Sequence, residues 1–145
     1  MLATSTMTTI HPAVLEDVPT VVAMLQALRQ ETVWRDIDIE DEPSQFSIRL
    51  LYRLITDEDC CLYVAKVDGQ VVGFCGGEIR YLYRLPSAKI VSEWGWYVLP
   101  EHRGGMVGGR LWNVVVEWGR SRGAVVADRV KRVGASQEQH TFVRL

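Results

Sequence analysis

Arg103, Gly104, Gly105, Gly108 and Gly109 follow a strand-like run that Pro100 stops and open a run with helical spacing. Glycines at the start of a helix leave the backbone N–H groups unshielded by Cβ atoms, so a ligand can approach closely. Those first N–H groups lack an acceptor within the helix and lie at the positive end of its dipole. An anion is what such a loop holds, and pyrophosphate suits it. Neither of the best-known phosphate loops fits: there is no GxGxxG and no GxxxxGK[ST].

A strand over 89–98, rich in bulky residues (Ile90, Val91, Trp94, Trp96, Tyr97, Val98), must carry this loop. The helix after it shows a stripe of Val107, Leu111, Val114, Val115 and Trp118 and ends near Arg122 and Gly123. Upstream, two apolar runs at 61–67 and 70–75 joined by Asp68-Gly69 predict a type I′ hairpin, with a bulge at Gly76-Gly77 before the strand resumes. A short strand at 8–11 precedes a helix in which Val18, Val21, Val22, Leu25 and Leu28 recur after Asp17, read as its N-cap, with Pro19 in the first turn. Residues 31–45 read as an acidic loop and 46–56 as a second helix. Downstream come a short strand at 124–127 and a last helix carrying Phe142 and Leu145, opened by a capping box at Ser136-Gln137-Glu138-Gln139. The order is that of a mixed α/β protein.

With 145 residues and neither linker nor repeat, the chain reads as a single domain over 1–145. Sixteen basic against 18 acidic side chains, net charge −2, argue against a nucleic-acid binder; Arg120, Arg122, Arg129, Lys131 and Arg132 read as a solvated helix end. Cys60, Cys61 and Cys75 form no CxxC pair, the three histidines lack ligand spacing, and no metal site is expected. The N-terminus has no signal-peptide pattern and no run reaches the length of a membrane span, which reads as a cytoplasmic protein without membrane partners.

The run Val98-Leu99-Pro100-Glu101-His102-Arg103-Gly104-Gly105-Met106-Val107-Gly108 resembles the acyl-CoA loop of the GNAT family of N-acetyltransferases: Arg or Gln, two residues, Gly, one residue, then Gly or Ala. Arg103 and Gly108 match its ends, and Met106 replaces the middle glycine. The succession of strands and helices is similar over nearly the whole chain, and 31–40 together with the 97–105 lead-in looks like small bacterial and phage members.

The resemblance implies a GNAT fold with a mixed, mostly antiparallel sheet flanked by helices, and transfer of an acetyl group from acetyl-CoA to a primary amine of a small molecule or protein by direct attack. It implies that the N–H groups of Arg103, Gly104, Gly105, Met106, Val107, Gly108 and Gly109 cradle the pyrophosphate of coenzyme A, with the Arg103 charge beside the phosphates. The Val98 backbone would bond the pantetheine or the thioester oxygen. An amine nucleophile must lose a proton, and Glu93 or Glu78 is the candidate base. In the tail, Phe142 stands where the family's acidic tyrosine is expected, and the final strands are missing, which leaves an uncovered edge: either the sequence is cut short or a second copy in a homodimer completes the sheet. These departures keep open an alternative: a catalytically silent protein of this fold that acts by binding coenzyme A or another protein. The acidic residues Glu31, Asp36, Asp38, Glu40, Asp41 and Glu42 form either an acceptor wall for a cationic amine or a solvated loop.

Overall fold

A computed structural model describes residues 7–32, 45–85, 87–132 and 137–145. Its order is β1 (Thr8–Pro12), α1 (Val18–Gln30), α2 (Gln45–Thr56), β2 (Cys60–Val67), β3 (Gln70–Tyr81), β4 (Lys89–Val98), α3 (Val107–Ser121), β5 (Val126–Arg132) and β6 (Glu138–Arg144). The six strands form one sheet in sequential order, antiparallel throughout except between β4 and β5. This is the mixed, mostly antiparallel sheet with flanking helices expected from the sequence.

The hairpin is as predicted: Asp68 and Gly69 both take positive φ, 52° and 77°, the type I′ geometry. Because side chains alternate along a strand, β3 feeds two cores, one per face. Phe74 packs with Val18, Val21, Leu51 and Leu54 of α1 and α2, while its neighbour Cys75 packs with Leu111 and Val115 of α3. All three cysteines are buried and unpaired, and burial pushes the Cys61 thiol up to about 12. Among the described residues, no helix is long and apolar enough to cross a membrane.

Two expectations are corrected. Asp17 does not cap α1 with its side chain, because a 3-10 turn over Leu15–Asp17 runs straight into the helix and Asp17 is already helical (φ −80°, ψ −16°). Its buried carboxylate instead accepts the Val14 N–H at 2.9 Å and pairs with Lys66 at 3.2 Å. The tail is a strand, not a helix: β6 pairs with β5 over seven residues, from Arg132↔Glu138 to Val126↔Arg144, and covers the edge of β5. Thr141, Phe142 and Val143 favour extended backbone, and the tail offers no apolar stripe at helical spacing. The acidic residues 36–42 with Trp34 and Arg35, and Ser136 of the expected capping box, lie outside the described residues.

Candidate active site

Pairing between β4 and β5 lasts only three residues, from Ile90↔Val126 to Ser92↔Asp128, after which the strands part. At the same point β4 bulges against β3: Gly77 faces Glu93 and Gly76 faces Gly95, so Trp94 is the extra residue. The next side chain along, Glu93, spans the opening, its Oε2 accepting the Val130 N–H at 2.8 Å. Burial raises the Glu93 carboxyl from 4.5 to about 7, with the Asp128 and Glu138 charges adding to the rise and the Val130 bond opposing it. A carboxyl balanced near neutrality is suited to taking up and giving back a proton.

Glu93 lines a cleft of about 480 Å³ whose other walls include Leu25, Leu28 and Arg29 of α1, Trp96 of β4 and Glu138 of β6. Glu78, the second candidate base, lies on β3 opposite Ser92 and Cys60 and is not part of this lining. Trp94 and Trp96 are half-buried and belong to both core and cleft.

Beyond the opening, Leu99 donates its N–H to the Val72 carbonyl at 2.9 Å. By strand alternation the N–H and C=O of Val98 point the other way, to the side that β5 has left. Arg103 Nε donates to that Val98 carbonyl at 2.7 Å, and its Nη2 donates to both Glu31 carboxylate oxygens at 3.0 Å, with the guanidinium over the Tyr97 ring at 5.1 Å. The arginine ties the end of β4 to the end of α1. The Arg103 N–H is also taken, by the Pro100 carbonyl at 3.2 Å, so the run of open amides begins one residue later than expected. From Gly104 to Gly109 no backbone N–H finds an acceptor among the described residues; the next, Arg110, bonds the Met106 carbonyl at 2.9 Å.

Gly104 has φ 87°, which only glycine adopts readily. Cβ atoms added at Gly104, Gly105 or Gly109 would meet nothing within 4 Å. Gly108 lies over Trp96, which stacks on Trp112 at 6.0 Å. Met106 is in helical conformation with its side chain 77% exposed, so its Cβ substituent points into solvent and leaves the loop open. The structure thus carries six consecutive open amides at the start of a 15-residue helix, a setting that fits a pyrophosphate.

Sequence reasoning missed the Val130 amide and Glu138 of the cleft, and the Asp128–His140 pair of β5 and β6 next to them in sequence. Asp128 is buried in β5, and both its oxygens lie within 3.2 Å of His140 Nδ1 on β6. The one signal was an acid inside the apolar run Val125-Val126-Ala127-Asp128.

Comparison with known structures places the architecture. A predicted acetyltransferase from Clostridium acetobutylicum, solved with acetyl-CoA, superposes with TM-score 0.70 at 12% identity, over 90% of this chain and 82% of that one. A ribosomal-protein-alanine N-acetyltransferase from Brucella melitensis gives 0.62 at 20% identity over 88% and 82%, and an aminoglycoside N-acetyltransferase in complex with CoA gives 0.61 at 21% over 86% and 76%. At these identities the likeness is one of fold. No curated protein matches the chain by sequence. The model of the acetyltransferase (GNAT) family, however, matches residues 23–137, from the middle of α1 to the edge of β6, and takes in Glu93 and the loop at 103–109. The chain therefore belongs to the GNAT family of acetyltransferases.

Proposed function

We propose that the protein is an N-acetyltransferase that moves an acetyl group from acetyl-CoA to a primary amine of a small molecule or protein by direct attack in a ternary complex. The observation that carries this reading is the position of Glu93, a carboxyl at the opening of β4 and β5, on the strand that leads into the run of open amides at the start of α3.

Acetyl-CoA supplies the activated acetyl thioester. The N–H groups of Gly104, Gly105, Met106, Val107, Gly108 and Gly109 hold its pyrophosphate, and the Val98 N–H serves the pantetheine or the thioester oxygen, where negative charge grows as the amine attacks. Glu93 takes the proton that the amine loses as its nitrogen bonds to the acetyl carbon. A thiol of pKa about 8.5 leaves readily as thiolate, so turnover needs no general acid, and Phe142, expected at the place of one in a last helix, lies instead on strand β6. Arg103 fixes the end of β4 through the Val98 carbonyl and is ion-paired with Glu31. Glu93 and Glu138 outnumber Arg29 among the charged residues of the cleft lining, beside apolar Leu25, Leu28 and Trp94, which favours a cationic amine.

Calorimetric titration with acetyl-CoA, followed by thiol release with a panel of amines, tests this. Wild type is expected to bind and Gly108→Glu, which brings bulk and negative charge to the first turn of α3, to bind at least roughly tenfold more weakly, a difference of about 1.4 kcal/mol. Equal affinity in the two proteins would remove the loop from the reading. Binding without transfer to any amine would leave the silent binding protein.

A further inference from the structure

β6 is the last strand of the sheet, and the edge it turns away from β5 is unpaired among the described residues. Six of its seven residues are exposed, large apolar Phe142 and Val143 among them. An open edge of this kind presents bare N–H and C=O groups and is a template for another strand. The opposite edge, β1, is five residues long and ends in Pro12, which blunts it.

Which groups face the open edge follows from two bonds. Leu145 donates its N–H to the Val125 carbonyl at 2.9 Å, and Val130 sends its N–H the other way, to Glu93 on β4. Hydrogen-bonded and open pairs alternate along an antiparallel ladder, so Gln139, Thr141 and Val143 bond β5. Glu138, His140, Phe142 and Arg144 therefore turn their N–H and C=O groups outward. Their side chains share one face, on which Phe142 stacks on His140 at 6.3 Å and Glu138 lines the cleft. Glu138 and Arg144 close the two ends of this row with opposite charges, and neither has an ion-pair partner among the described residues.

We infer that two copies of the chain pair antiparallel through these edges, with Thr141 on the two-fold axis, joining two sheets into one. In this register Glu138 meets the partner's Arg144 and His140 meets the partner's Phe142, each pair exchanging both of its N–H···O bonds. The axis repeats both pairs, so opposite charges close each end of the ladder and aromatic rings fill its middle. Thr141 faces the partner's Thr141 across the axis, a pair of β-branched residues. A slip of one residue sets outward groups against inward ones. A slip of two parts Glu138 from Arg144 and sets His140 or Phe142 opposite itself, and parallel pairing in register sets each charge on its like. Pairing also brings the partner's Arg144 to one wall of the cleft, where it offsets the Glu138 charge and weakens the pull on a cationic amine. The self-association itself does not depend on the acetyltransferase reading.

The test is sedimentation equilibrium of the full chain, wild type beside Glu138→Arg and Arg144→Glu. The wild-type mass is expected to rise with concentration from one chain toward two and to stop there. Each single variant sets like charges opposite at both ends and is expected to associate at least roughly tenfold more weakly. Mixed one to one, the two variants regain opposite charges at both ends and are expected to pair like wild type. Glu138 and Arg144 of one chain are about 20 Å apart along the strand, so only pairing between chains gives that rescue. Oxidation fixes the register: Thr141→Cys is expected to form a disulfide-linked dimer, whereas Val143→Cys, opposite position 139, is not. The native cysteines, buried and unpaired, do not compete. A wild type that stays a single chain at every concentration, a dimer that both charge variants keep, a loss that mixing does not rescue, or linking at Val143→Cys as ready as at Thr141→Cys overturns the inference. Should a charge variant not fold, the two cysteine variants still decide.

Discussion

Glycines in the seam between α3 and the sheet and glycines in the loop before α3 meet opposite surroundings. A Cβ on Gly119 would lie 2.5 Å from Val91 Cβ, and one on Gly77 would lie 2.6 Å from Val115 Cγ1. Those on Gly104, Gly105 and Gly109 would touch nothing within 4 Å. In the seam, glycine lets helix and strand approach closer than any side chain allows. In the loop, it keeps backbone amides bare toward solvent. One residue type therefore builds a closed region and an open one, separated by the bulge at Trp94, with Glu93 at the boundary.

The largest expected effect lies in the closed region. Gly119→Ala forces a methyl into the branched Val91 side chain and should cost about 3 kcal/mol by overpacking, seen in urea unfolding. An unchanged midpoint would mean that the seam is as loose as the loop.

Next comes the boundary. The Glu93 carboxyl is raised to about 7 in the folded protein against 4.5 when unfolded, so its contribution to stability is fully present below pH 4.5 and is lost as pH rises through 7. Glu93→Gln cannot ionise and escapes that loss. It should match wild type in unfolding near pH 4 and exceed it by on the order of 2 kcal/mol above pH 8. Wild-type acetyl transfer should rise over the same interval, as the base ionises.

The open region should respond least in stability. Gly105→Ala, with room for its methyl, should shift unfolding by no more than about 0.5 kcal/mol. A loss in Gly105→Ala equal to that in Gly119→Ala would erase the contrast between the regions.

How far the sequence discloses this depends on whether the deciding contacts are local. Asp68-Gly69 fixes the hairpin within two residues, and the loop from Pro100 to Gly109 announces an anion site through its own composition. Gly76-Gly77 marks the bulge, but which residue of β4 is doubled depends on register across the sheet, and with it the aim of Glu93. The tail forms a strand because β5 offers it a seven-residue ladder, a partner that local spacing does not contain. Asp128 and His140 meet only through that ladder, 12 positions apart and without a motif. The Arg103 side chain, read as a phosphate ligand from its place in the loop, is claimed by Glu31, 72 residues earlier.

The buried cysteines bear on how such measurements can be made. Cys60, Cys61 and Cys75 are shielded from solvent and their thiols are pushed above their ordinary range, so almost none is thiolate near neutral pH. A disulfide reagent added to the folded protein is therefore expected to colour only with coenzyme thiol set free by transfer. The same reagent turns into a reporter of unfolding once the sheet opens, when three further equivalents per chain become reactive.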